Sequence, residues 1–290
     1  MRKPDFSCMI KVLCKERQTL MDIITSANNG QMKNIVALQK KAKERRSQRA
    51  FVVEGPRMAF EAPKEWLKAL YVSEHFCQDP DNMALLEAYG GSYTVVSDSV
   101  LKAVSDTQSP QGVLAIVAMP SYELEDLLQG DQTHLLILES VQDPGNLGTM
   151  LRTGEGAGAT GIVMNKTTVD LFNPKTIRST MGSLYRMPFY VAEDLPSVMK
   201  DLQSRGVKLY AAHLRGQMSY DDPDYTGPCG FLIGNEGNGL SDEIADLADA
   251  YIRIPMEGKV ESLNAAISAT LLMYECSRQR RRGGSHADLV

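Results

Sequence analysis

From residue 132 onward the chain repeats one pattern, a short apolar run, a turn and then a stretch of helical period. The runs are "HLLILESV" (134–141), "GIVMN", "PFYVA", "KLYAAHL", "CGFLIG" and "AYIRIP". Most of these runs hold no alternation of apolar with polar residues, so they read as strands buried on both faces. Strands of that kind belong to a parallel sheet covered by helices on each side. The spacing predicts helices over 146–158, from Asn173, over 194–205, over 241–248, and a long last one over about 262–282. In such a sheet a ligand sits beyond the carboxyl ends of the strands, so the residues that follow each strand carry the functional information.

Three strand ends are chemically loaded. "FLIGNEGNGLS" (231–241) runs from a buried strand into Gly234, Asn235, Gly237 and Gly239, with the lone acid Glu236 among them. "ESVQDPGNLGTMLRTGEGAGATG" (139–161) turns at Pro144 and Gly145, and Asn146 is placed to cap a helix that carries Arg152. That helix also holds Gly154, Gly156 and Gly158, each costing about 1 kcal/mol relative to alanine, which implies a close approach on that face. "IPMEGKVESLNAAISATLLMYE" (254–275) closes a strand at Pro255, and Ser262 or Asn264 caps the final helix. A dinucleotide-binding loop fits the spacing of Gly154, Gly156 and Ala159, but the preceding "TMLRT" is helix interior rather than strand end, which rejects it.

Upstream, residues 31–118 form a smaller alternating α/β unit: a helix over 31–49, strands "AFVVEG", "LKALYVS", "SYTVVS" and "GVLAIVAM", and helices between them. The polar, acidic stretch 119–131 reads as a linker, residues 1–30 as an N-terminal extension and 283–290 as a disordered tail. Net charge is −5, yet residues 1–50 carry 12 Lys/Arg against 4 Asp/Glu, so the remainder is strongly acidic. The basic helix around Lys40, Lys41, Arg45 and Arg46, and the cluster "RQRRR" (278–282), are candidate nucleic-acid surfaces on a body too acidic to bind nonspecifically. Five scattered cysteines without a C-x-x-C pair favour neither a disulfide framework nor a zinc site, so no metal is expected. No run of about 18 apolar residues spans a membrane and charges interrupt the N-terminus, so the expected location is the cytoplasm.

"NLGTMLR", "FLIGNEGNGLS" and "IPMEGKVESLN", in that order and at these separations, resemble the three motifs of the SpoU/TrmH branch of the SPOUT methyltransferases. The resemblance covers about residues 133–282, and "IRSTMGSLYRMP" is similar to the intervening helix of that family. Residues 31–118 resemble, more weakly, the substrate-binding domain that precedes it, similar to a ribosomal-protein RNA binder. The resemblance implies a C-terminal domain closed by a deep trefoil knot, S-adenosylmethionine as methyl donor, and transfer to a ribose 2′-hydroxyl of RNA by a homodimer.

Carried onto this chain, it assigns Gly234, Ile254 and Leu263 to the cofactor, with Met256, Ala212 and Gly237 beside them. On this reading Gly234 and Gly237 let the backbone approach the adenosine, and Glu236 holds the loop or meets the partner subunit. Arg152, Asn146, Ser262 and Asn264 match the polar catalytic positions. A guanidinium with a pKa above about 12 is a poor base. Arg152 therefore grips the target phosphate and the developing alkoxide, while the two asparagines orient and the proton leaves to phosphate, water or Ser262. Ribosomal and transfer RNA methylases share these motifs; the extra N-terminal domain favours 23S rRNA, with a guanosine as one option, over tRNA or a non-catalytic RNA-binding role.

Overall fold

The computed structural model describes residues 23–283. The chain falls into two compact units that part between Ala118 and Met119. In the first, the order is α1 (Gly30–Lys40), α2 (Ala42–Gln48), β1 (Ala50–Glu54), α3 (Pro56–Glu61), β2 (Leu67–Ser73), α4 (Pro80–Tyr89), β3 (Thr94–Val96), α5 (Asp98–Val104) and β4 (Val113–Ala118). The four strands lie in the order β1-β4-β2-β3. Strand β4 runs antiparallel to both neighbours, while β2 and β3 are parallel. Met32, Ile35 and Leu38, one turn apart along α1, bury themselves against Val52, Tyr71, Leu114 and Ile116.

Two expectations for this unit need correction. The helix expected over 31–49 is broken at Lys41, whose backbone is extended. The break strands the last carbonyls of α1, and the buried Arg45 supplies their donors: its Nη1 reaches Leu38 O at 2.8 Å and Gln39 O at 3.0 Å. The extension expected over 1–30 is in part structural, because Ile24 is buried and its backbone exchanges hydrogen bonds with Val95 and Ser97 beside β3. The rest of that expectation, residues 1–22, lies outside the described residues.

The second unit runs β5 (His134–Leu138), α6 (Pro144–Ala157), β6 (Gly161–Asn165), α7 (Pro174–Thr180), β7 (Phe189–Ala192), α8 (Leu195–Ser204), β8 (Lys208–Ala212), β9 (Met218–Ser219), β10 (Cys229–Ile233), α9 (Asp242–Ala245), β11 (Ala250–Arg253) and α10 (Ala265–Gly283). Its seven strands, in the order β7-β6-β5-β10-β8-β11-β9, are all parallel. The central pair β5 and β10 is buried at every position, which is why "HLLIL" and "CGFLI" show no alternation. The two-residue edge strand β9 is too short to leave a pattern in the sequence. Most of the segment expected as a tail, residues 284–290, lies outside the described residues.

The stretch 119–131 is not a bare linker. Leu124 and Leu127 enter the core of the second unit beside Leu135, Ile137 and Val163. A β-carbon on Gly161 would stand 2.2 Å from Leu127 Cγ, so strand and leucine are fitted to each other. Acidic residues between the leucines hid this: Glu123 and Asp126 form a capping box on the short turn that carries both. Leu127→Ala is therefore expected to cost about 2–5 kcal/mol in denaturant unfolding. A solvated linker position would change stability by less than about 0.5 kcal/mol.

Candidate functional site

Strands β10, β8 and β11 are neighbours, so their carboxyl ends stand about 5 Å apart along one rim. Gly234 follows β10, Ala212 ends β8, and Ile254 follows β11. Half-buried Met256 and Leu263 belong to the irregular segment that leads from β11 to α10. This rim offers backbone groups and apolar side chains in a short arc, a surface suited to an adenosine-containing ligand.

Beside it, three segments far apart in sequence are tied by one chain of hydrogen bonds. Asn264 caps α10, its Oδ1 accepting from Ala266 N at 2.9 Å and Ile267 N at 3.3 Å. Its Nδ2 donates to Asn146 Oδ1 at 3.0 Å, and Asn146 Nδ2 donates to Glu236 Oε1 at 3.0 Å. The Glu236 carboxylate also accepts from Gln142 N at 2.9 Å and Asp143 N at 3.0 Å. Asn146 is thus not the cap of α6; Asp143 is, its Oδ1 accepting from Asn146 N at 2.9 Å, with Pro144 in the first turn. That leaves the Asn146 side chain free for the relay.

Partial burial pushes the Glu236 pKa up, but the hydrogen bonds from Asn146, Gln142 and Asp143 outweigh it, and the net shift is downward. A lowered carboxylate contributes fully above the ordinary carboxylate range and is lost only as pH falls through its depressed value. Activity at the rim is therefore expected to show no acid limb from Glu236 between pH 5 and pH 8. Glu236→Gln, which puts an NH₂ donor against two or three N–H donors, is expected to lower kcat/KM about 10- to 100-fold across that range. A pH–rate profile of both proteins checks this.

The glycine-rich loop holds itself before it can hold a ligand. A β-carbon on Gly234 would lie 2.1 Å from Gly239 C and 2.2 Å from both Gly239 O and Leu240 N. Asn235 and Gly239 exchange backbone hydrogen bonds at 3.0 and 2.9 Å, and Asn235 Nδ2 donates to Ser140 O at 3.0 Å. Glu139, just past β5, accepts from Ser241 N and Oγ. The first demand on Gly234 is thus the loop's own return path. Gly237 has only Asn235 Oδ1 near its missing β-carbon, at 3.5 Å.

Arg152 and Ser262 stand apart from this relay. Both are exposed, and their side chains make no hydrogen bond or ion pair among the described residues. Arg152 is six residues beyond Asn146, about 120° around α6, so it faces away from the asparagine pair. It shares an exposed stripe with Thr149 and Gly156, and Tyr274 Oη of α10 sits 2.9 Å from where a Gly156 β-carbon would be. Ile267 and Tyr274 are exposed apolar residues on α10. The close approach expected along Gly154–Gly158 thus occurs at Gly156, and a tighter one lies at Gly148, where a β-carbon would meet Ser179 Cβ at 2.4 Å and Thr176 O at 2.7 Å on α7.

The basic clusters divide. Lys40, Lys41 and Arg46 are exposed, whereas Arg45 is buried in its capping role and does not face solvent. "RQRRR" divides likewise, with Arg281 and Arg282 exposed and Arg278 and Arg280 engaged within the fold. Arg278 pairs with Glu275 at 2.5 Å. Arg280 donates to the carbonyls of Gln132, Thr133, Tyr225 and Gly227 at 2.6–3.1 Å, which fixes α10 against the starts of β5 and β10. Arg281 donates to Ser277 Oγ. Among the described residues no helix is long and apolar enough to cross a membrane, and no group of three or more metal-ligating side chains occurs.

A wholly parallel α/β sheet with its polar residues gathered at the carboxyl rim, joined to a small mixed-sheet unit, defines a two-unit protein of the nucleotide-cofactor enzyme class. The chain belongs to the SpoU rRNA methylase family, whose model matches residues 133–274; residues 29–115 match an MRM3-like substrate binding domain. It is 33% identical over 256 residues to the 23S rRNA (guanosine(2553)-2′-O)-methyltransferase RlmP of Bacillus subtilis, covering 88% of this chain and 98% of that protein. Among solved structures, the AdoMet-bound rRNA methyltransferase of Sinorhizobium meliloti aligns with a TM-score of 0.76 at 33% identity over 91% of this chain and 98% of that one. The SpoU methyltransferase AviRb of Streptomyces viridochromogenes, in complex with AdoMet, aligns at 0.79 and 27% identity over 87% and 98%.

Proposed function

We propose that this chain transfers a methyl group from S-adenosylmethionine to a ribose 2′-hydroxyl of 23S rRNA, working as a homodimer in the cytoplasm. The observation that carries the reading is the hydrogen-bonded run Asn264–Asn146–Glu236, which joins the three motif segments beside the rim of β10, β8 and β11. Gly234, Ala212, Ile254, Met256 and Leu263 fit the donor, because they supply backbone and apolar contacts without a charge that would oppose a sulfonium. Bound there, S-adenosylmethionine supplies an electrophilic methyl group.

The remaining work belongs to the chain. Asn146 and Asn264, fixed by Glu236 and by the helix cap, orient the ribose for in-line attack. Arg152 holds the adjoining phosphate and stabilises the oxyanion as its proton leaves to a phosphate oxygen, water or Ser262. Arg152 faces away from the asparagines of its own protomer, so we assign it to the partner's site. The exposed apolar residues Ile267 and Tyr274 near its stripe then form the dimer contact. We read the β5-β10-β8-β11 order, with β10 inserted between β5 and β8, as part of the trefoil knot of the family.

Ribose-resolved methylation mapping tests this. RNA from a strain lacking the gene is expected to lose one 2′-O-methyl site in 23S rRNA and to regain it with the purified protein and labelled S-adenosylmethionine. A site restored in tRNA instead would move the substrate but keep the chemistry; cofactor binding with no RNA methylated would leave an RNA-binding factor.

A further inference from the structure

A cavity of about 600 Å³ opens in the first unit, far along the chain from the rim residues. It lies past the carboxyl ends of the parallel strands β2 and β3, between the turn after β2, the start of α5 and the loop that leads into β4. Its floor is apolar, made by the buried Phe76 and Leu101. Its walls carry Asn82, Gln108 and Gln111, amide side chains that make no hydrogen bond among the described residues, and Lys102, likewise unpaired.

The walls are fixed in advance. Ser73 N donates to Gly112 O at 2.8 Å, Ser73 Oγ accepts from Phe76 N at 3.1 Å, and Asp98 Oδ1 accepts from His75 N at 3.0 Å. Gly112 has φ +81°, and a β-carbon there would stand 2.8 Å from Ser73 Oγ, so the two loops meet through a position that favours glycine. On the other side Glu54 holds Asp106 N and the Thr107 hydroxyl. An apolar floor, a few convergent polar groups and preset walls are the features of a site for one planar, polar ligand.

The chemistry of the walls narrows the ligand. Three amides, with the cation Lys102 balanced by the Asp98 carboxylate, suit the edge of a nucleobase better than a phosphate, because amides donate and accept together, as base edges do. A volume near 600 Å³ admits a single nucleotide with its sugar, and Lys102 then meets the phosphate at the mouth. We propose that this cavity takes one unpaired nucleotide of the RNA substrate, separate from the ribose that is methylated, with Asn82, Gln108 and Gln111 on the base edge. The proposal rests on the reading of the chain as an RNA-modifying enzyme and names where its first unit reads sequence.

The test uses the full chain and unmodified, in vitro-transcribed 23S rRNA of the source organism. Asn82→Ala with Gln108→Ala, at a half-buried and an exposed position whose side chains make no hydrogen bond among the described residues, is expected to weaken RNA binding about tenfold or more without changing its salt dependence. Lys40→Ala with Lys41→Ala and Arg46→Ala is expected to flatten the salt dependence, because those residues meet phosphates. Ultraviolet cross-linking followed by peptide mapping should place a nucleotide on residues 73–82 or 98–112. Unchanged affinity in the double variant, or cross-links confined to other peptides, overturns the proposal. So does a free nucleoside monophosphate that fills the cavity without competing with RNA. Binding and cross-linking are read without methyl transfer, so an inactive but RNA-binding protein would refute the catalytic reading alone.

Discussion

Arg152→Ala is expected to reduce methyl transfer by about 10²- to 10³-fold or more while leaving unfolding and S-adenosylmethionine binding as they were. The size is that of removing a charged oxyanion donor, the role proposed for Arg152. The selectivity follows from the structure: Arg152 is exposed and has no partner among the described residues, so its side chain supports no part of the fold. Arg152→Lys keeps the charge but not the bidentate fork, and should recover only a fraction. If Arg152 serves the partner's site, mixing Arg152→Ala with Asn264→Ala protomers restores part of the activity that each lacks alone. Loss of cofactor affinity in Arg152→Ala, or mixed protomers that stay inactive, would return Arg152 to its own site.

The second large effect sets two glycines of one loop against each other. Gly234→Ala is expected to abolish cofactor binding and to destabilise the second unit by several kcal/mol, since its methyl group would sit 2.1–2.2 Å from backbone atoms of Gly239 and Leu240. Backbone cannot swing aside as a side chain can, so the Asn235–Gly239 bridge would have to open. Gly237→Ala meets nothing closer than 3.5 Å and its φ is not in the left-handed region. It should fold and bind the cofactor within about twofold of the unaltered protein. Calorimetry with S-adenosylmethionine and thermal unfolding on both variants decide the matter; equal behaviour would show that the loop is softer than its geometry.

The sheet of the second unit was legible because two-face burial leaves uninterrupted apolar runs, and β5 and β10 carry no polar residue that matters to the pattern except His134 and Gly230. The break at Lys41 was not, since both halves have helical composition and the decisive event is a buried arginine reaching back seven residues to Leu38. Nor were the fates of the terminal arginines: the same letters serve as a surface charge or a four-carbonyl clamp depending on what lies beside the helix. Three motif segments could be found as segments, but their joining through Glu236 could not, because side-chain hydrogen bonds over 90 or more residues leave no spacing to count. One local sign was available for the cap of α6: Asp143–Pro144 is the ordinary start of a helix, and it frees Asn146 for other work.

Arg280 reaches carbonyls as far back as Gln132, 148 residues earlier, and Asn264 reaches Asn146 over 118. Both contacts are made at α10, the last helix among the described residues, so the relay and the clamp close only once α10 has docked. A nascent chain halted before Asn264 can hold strands and helices yet has no relay, and a chain halted before Arg280 has no clamp for α10. Completion of the site thus rests on contacts of long sequence separation, the kind a folding chain is slowest to close.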